Sequence, residues 1–132
     1  GIPCVTSGTE SVANSAAAAP SAGTLLGPHS TVTAVSGGRP SHLWQARLAP
    51  EAKPYRGRHR FHGVEVVPAS VVLHTLLCAA DQLGYPALSK VRFDQPVFVD
   101  QPRLIQVVAD DQSISLASRP ADSVSDRWTH HV

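Results

Sequence analysis

The stretch His-Arg-Phe-His-Gly-Val-Glu-Val-Val-Pro, at positions 59–68, places two histidines, a glycine and a proline close together. Histidine is the side chain whose ordinary pKa lies nearest neutral pH, so an imidazole beside a ligand can take up and return a proton there. Gly63 lacks a Cβ, which lets its backbone approach a bound molecule and offer a main-chain N–H to a carbonyl oxygen. Pro68 suits the first turn of a helix, whose N-terminus favours negative charge developing in front of it. A base, a carbonyl-binding N–H and a favourable potential are together what removal of a proton α to a thioester carbonyl requires.

Strand alternation separates the two histidines. If residues 53–61 are extended, Arg56, Arg58 and Arg60 point to one side while Gly57, His59 and Phe61 point to the other. His59 then faces whatever the sheet covers, and His62 returns to the arginine side. His59 is therefore the candidate catalytic base, with Gly63 and Pro68 as candidate substrate-binding residues. No metal site is expected. His59 and His62 have only Glu65 as a nearby additional ligand, and the adjacent His130 and His131 face opposite ways on a strand.

The elements that must position these residues follow from patterning. Residues 1–24 are rich in Ala, Ser, Thr and Gly and carry almost no large apolar side chains, which predicts a linker or flexible tail. The folded part is expected over 25–132. Strands are expected at 30–37 and 42–48; in the second, Leu43, Gln45 and Arg47 alternate with Trp44, Ala46 and Leu48. A helix is expected over 69–83. Val72, Leu73, Leu76, Leu77, Ala80 and Leu83 recur at helical spacing, Val71 and Ala79 widen the stripe, and Gly84 closes it. Further strands are expected at 88–99, 103–110, 113–120 and 126–132, with Asp110-Asp111 as a hairpin turn. One buried helix followed by a run of antiparallel strands predicts an α+β fold with a sheet wrapped on that helix.

Composition narrows the function classes. At 132 residues the chain is the size of one domain. Its 11 basic and 10 acidic residues nearly cancel, and aromatics are only 5%, which argues against nucleic acid or an anionic membrane as partner. No apolar run reaches the ~18 residues of a membrane span, and no secretory signal opens the chain, so a cytoplasmic location is expected. Cys4 and Cys78 are read as free thiols.

His59, Gly63 and Pro68 stand as HxxxGxxxxP, which resembles the N-terminal motif of dehydratase domains in type I polyketide synthases. The resemblance extends over 25–132. Leu25-Leu26-Gly27 sits where that family has an HPLLG-like opening. Residues 44–77 resemble most closely the bacterial iterative synthases of the 6-methylsalicylic, orsellinic and naphthoic acid type. KVRFDQPVFV and the final Trp-Thr-His-His fall where the family has strands.

The resemblance implies a hot-dog fold, the first half of a double hot dog, in which a curved antiparallel sheet wraps the helix. It implies that His59 is the base in loss of water from a β-hydroxyacyl thioester, and that Gly63 donates its N–H to the thioester carbonyl. The substrate would be carried on the phosphopantetheine arm of an acyl carrier protein, with no cofactor bound directly. Implied partners are that carrier protein, the other domains of the synthase and a C-terminal hot-dog half, with a homodimer as a further possibility. In this family the acid that protonates the departing hydroxyl is a carboxylate on the second hot-dog helix. A chain that stops at Val132 is therefore expected to be an N-terminal half with little activity alone. In single hot-dog dehydratases the acid lies six positions after the proline; here that position is His74, and Asp81 lies about two turns further along. Two alternatives remain open at this level: thioester hydrolysis for product release, and a non-catalytic scaffold module. Lys53, Arg56, Arg58 and Arg60 could meet the carrier protein or its phosphopantetheine phosphate, or form an ordinary solvated strand face.

Overall fold

The computed structural model of the chain describes residues 19–20, 22–32, 41–85, 87–110, 113–121 and 128–132. Its elements are β1 (His29–Val32), β2 (Ser41–Leu48), β3 (His59–Phe61), β4 (Val64–Val66), α1 (Ala69–Gln82), β5 (Arg103–Ala109), β6 (Ile114–Pro120) and β7 (Thr129–His130). Five antiparallel strands form one sheet in the order β1-β2-β5-β6-β7, and β3 and β4 form a separate hairpin.

Register explains which face of the sheet is apolar. Trp44 lies opposite Val107, which lies opposite Leu116; Ala46, Ile105 and Ser118 form the next row. All six are buried. The alternation expected in residues 42–48 is observed, with Trp44, Ala46 and Leu48 buried and their neighbours only half-buried. Gly27 lets its segment lie on this strand, because a Cβ there would stand 1.9 Å from the Gln45 carbonyl oxygen.

Helix α1 lies against this inner face. The Trp44 indole donates to Gln82 Oε1 at 2.9 Å, and the Leu25 N–H donates to Thr75 Oγ1 at 2.9 Å. The helix closes as its sequence predicts. Gly84, at φ 87°, donates to the Asp81 carbonyl and Tyr85 to the Ala80 carbonyl, the pair of bonds that defines a Schellman motif. One antiparallel sheet wrapped on one helix is the expected α+β, hot-dog arrangement.

Several local expectations change. The buried helix face is Val72, Thr75, Leu76 and Ala79, with Cys78 and Ala80, whereas Leu77 is exposed. Apolar residues surround most of this helix, so spacing alone could not select the side that meets the sheet. Residues 88–99 form no regular strand; they bend, touching β4 through a single bridge from Phe98 to Val66. Cys78 is disulfide-bonded instead of free, and Cys4 lies outside the described residues. The expected tail at 1–24 and the second half of the 30–37 strand also fall largely outside them. The turn after β5 is tied by Asp110, whose N–H donates to the Ser113 carbonyl and whose Oδ1 accepts from the Ser113 N–H; Asp111 is not described. Among the described residues, no helix is long and apolar enough to cross a membrane.

Candidate active site

The β3–β4 hairpin carries the candidate base. Phe61 pairs with Val64, leaving His62 and Gly63 as a two-residue connection with φ of 54° and 82°. Two consecutive left-handed residues make a type I′ turn, whose twist matches that of the flanking strands. Histidine is among the non-glycine residues that enter this region more readily, so His62 serves the turn. It does not return to a strand face, as the alternation had implied. Its ring meets the edge of Phe61 at a centroid separation of 4.2 Å. A Cβ added at Gly63 would meet nothing, so open space surrounds the glycine. The turn's ladder uses the groups of Phe61 and Val64, which leaves the Gly63 N–H outside it.

His59 lies opposite Val66 at the far end of the hairpin. All of β3 is exposed, whereas β4 is half-buried and leads into the buried Val67. The expectation that His59 faces a covered side is thus corrected. Alternation assigns a side, but it does not say whether another layer covers that side.

The run before His59 is not extended either. Gly57 at φ 89° breaks it, and Arg56, Arg58 and Arg60 are all exposed. Lys53 leaves the basic group: it forms an ion pair with Glu65 of β4, lies 3.4 Å from the Gly57 carbonyl, and stands 5.7 Å above the Tyr55 ring. Tyr55 packs against the core with its hydroxyl buried and, among the described residues, without a hydrogen-bond partner. Burial first, and the Glu65 carboxylate second, push its pKa up to about 12.

The free edge of β4 is covered by a strap formed by residues 94–99. The Val67 N–H donates to the Val97 carbonyl, and the Val99 N–H donates to the Glu65 carbonyl, each at 2.9 Å. At its other end the strap meets the large sheet, where the Asp94 N–H donates to the His131 carbonyl at 2.8 Å. Immediately after β4, Pro68 caps α1, and its carbonyl accepts from Val71 and Val72. Among the described residues no side chain caps this end, and Ala69 and Ser70 are exposed.

His59 and Gly63 are therefore brought onto one hairpin, with Pro68 at the following helix entrance. His74 and Asp81 are elsewhere. His74 contacts Cys78 Sγ at 3.6 Å, and Asp81 is exposed in the last helical turn. Two cavities lie among the described residues away from His59, which lines neither. One, of about 590 Å³, lies along the C-terminal half of α1 beside Leu76, Ala80 and Leu88. The other, of about 240 Å³, lies at the helix entrance beside Ala69, Val72, Phe93 and His131. Among the described residues, no group of three or more His, Cys, Asp or Glu could hold a metal ion.

Two histidine contacts escaped the sequence. His29 Nε2 lies 2.9 Å from His42 Nδ1 and its ring stacks on Trp44; burial, then the neighbouring His42, lowers its pKa. His131 is buried between Ser118 and Gln95. Partners 13 and 36 residues away leave no local spacing signal.

Comparison with known proteins adds three findings. A family described as "Polyketide synthase dehydratase domain" matches residues 25–122. A phenolphthiocerol/phthiocerol polyketide synthase polypeptide of Mycobacterium tuberculosis is 70% identical over 125 residues, covering 94% of this chain and 7% of that protein. The 5-methyl-1-naphthoate synthase of Streptomyces sahachiroi is 37% identical over 86% of the chain, and the 6-methylsalicylic acid synthase of Penicillium terrestre 36% over 80%. The aromatic synthases are thus relatives, at lower identity than the mycobacterial protein. The chain spans only about 7% of the length of the curated relatives it matches.

Proposed function

The chain belongs to the polyketide synthase dehydratase domain family, and from that premise we propose that His59 is the base that removes water from a β-hydroxyacyl thioester. The neutral imidazole takes the proton α to the thioester carbonyl. The electron pair released forms the Cα–Cβ double bond, the Cβ–O bond breaks, and the hydroxyl leaves as water with a proton from an acid. Negative charge gathers on the carbonyl oxygen as the α-proton leaves, and the Gly63 N–H meets it there. Pro68 sets the entrance of α1, whose N-terminal dipole end favours the same charge.

The observation that carries this reading is the hairpin itself, on which an exposed imidazole and an N–H outside the ladder share one two-stranded unit. The acid comes from a second, C-terminal hot-dog half. His74 occupies the position where a single hot dog has its carboxylate, and Asp81 stands at the wrong end of the helix. The substrate arrives on the phosphopantetheine arm of an acyl carrier protein, within a cytoplasmic synthase. The exposed Arg56, Arg58 and Arg60 offer positive charge to that carrier, whereas Lys53 is already engaged by Glu65.

The test is dehydration of a β-hydroxyacyl thioester by the intact synthase. His59→Ala is expected to lower the rate by roughly 10²–10⁴, and this chain alone is expected to turn over little or nothing. An undiminished rate in the variant would remove His59 from the role.

A further inference from the structure

His131 is 3% exposed, and both of its ring nitrogens are engaged. Nδ1 lies 2.9 Å from the Gln95 carbonyl oxygen, which can only accept, so Nδ1 carries the hydrogen. Nε2 then accepts from the Ser118 hydroxyl at 2.6 Å, and Arg103 NH1 donates to that same hydroxyl oxygen at 3.3 Å. The ring is neutral in this arrangement. Burial is the first cause holding its pKa below the ordinary histidine value; the hydrogen bond to Gln95 works against it, and Arg103 and His130 act in its direction.

Its backbone is equally constrained. The Leu116 carbonyl accepts from both the His131 and the Val132 N–H, and the Leu116 N–H donates to the Val132 carbonyl. Two residues on one strand thus oppose one on the next, which is a β-bulge, a feature that re-aims side chains. Here the bulge lies where the large sheet meets the strap.

The strap is the link between this site and His59. Residues 94 and 95 are held by His131, and residues 97 and 99 are held by Val67 and Glu65 around β4. Among the described residues, these are the backbone hydrogen bonds that join the β4 edge to anything other than β3. His59 rides on β3, in register with Val66.

We propose that His131 is a positioning residue for His59: clamped between Ser118 and the Gln95 carbonyl, it fixes the bend of the strap and so the placement of the hairpin against the sheet. The role rests on His59 being the base. A free strap would let the hairpin shift as a unit, and displacement of a reacting group by about 1 Å can cost on the order of 10²-fold in rate.

The experiment uses the intact synthase with a β-hydroxybutyryl N-acetylcysteamine thioester, and compares His131→Phe, His131→Asn, Ser118→Ala and His59→Ala. Phenylalanine keeps a planar aromatic ring, somewhat larger, and loses both bonds, whereas the asparagine amide can still donate to Gln95. His131→Phe is expected to lower kcat by about 10- to 100-fold with KM changed less than about 2-fold. Hydrogen exchange in peptides spanning 59–67 and 94–99 should quicken while the rest of the sheet stays protected. His131→Asn should keep kcat within about 3-fold, and Ser118→Ala, a small change that spares the fold, should fall between the two. Unchanged kcat in His131→Phe or Ser118→Ala, beside an inactive His59→Ala, would overturn the positioning role. So would equal losses in His131→Phe and His131→Asn with exchange quickened evenly across the sheet, which marks a purely structural residue. Retained turnover in His59→Ala would remove the base itself, and the positioning role with it.

Discussion

The β3–β4 hairpin and the sheet-and-helix layer place their side chains in opposite environments. Every residue of β3 is exposed, Phe61 at 48%, whereas Ala46, Leu48, Ile105, Val107 and Leu116 in the sheet are at 0%. The two histidines of interest divide the same way. His59 stands exposed on the hairpin, and His131 is enclosed in the sheet edge with both ring nitrogens occupied. The role proposed for His59 would put chemistry in the part with least packing and stability in the part with most. The strap is the seam between them.

The contrast can be broken in a graded way. The largest expected effect separates rate from stability. His59→Ala should lose the 10²–10⁴ in rate given above while unfolding at a denaturant concentration within roughly 0.5 kcal/mol of the parent, because an exposed side chain gives up little packing. Leu48→Ala should do the reverse: it removes a fully buried side chain and should cost about 2–5 kcal/mol in urea unfolding. If the His59 variant were the less stable of the two, the division of labour would fail. Gly63→Ala comes next. An alanine held at φ 82° carries a left-handed penalty of about 1–2 kcal/mol. That strain should loosen the hairpin and lower kcat even though the new methyl meets no neighbour.

The smallest effect sharpens the comparison at the seam's other side. Tyr55→Phe removes a buried hydroxyl that has no partner among the described residues and should raise stability by about 1 kcal/mol at neutral pH. Its pKa in the folded protein, about 12, is above that of an unfolded chain. Its contribution is therefore intact below about 10, the ordinary tyrosine value, and is lost as the pH rises toward the folded value. Alkaline unfolding curves should be flatter for the phenylalanine variant across that window. His131 gives the opposite sign. Its folded pKa is depressed, so the stability it contributes is present above the ordinary histidine value and falls as the pH drops below it. Urea midpoints measured on both sides of that value would check the direction.

Much of the frame was legible in local pattern. Period-two burial in β2 and the glycine-terminated helix follow from spacing alone, since each depends on residues within one turn or one pleat. The motif residues were also local, and their grouping on one hairpin depends on a two-residue turn that His62 and Gly63 can adopt. Other features were not. The choice of Thr75 and Cys78 over Leu77 for the buried helix face required knowing where the sheet lies. The bend of residues 88–99 required two competing edges, β4 and the region of His131.

The order of types along the chain determined the α+β class and the helix ends. Those are set by backbone geometry and side-chain period, which act over a few residues. Only the tertiary structure decided that His59 stands exposed, that Lys53 is spent on Glu65, and that His131 clamps the strap. Burial and long-range hydrogen bonds depend on what packs against a strand, and the alternation of side chains along that strand contains no information about its neighbours.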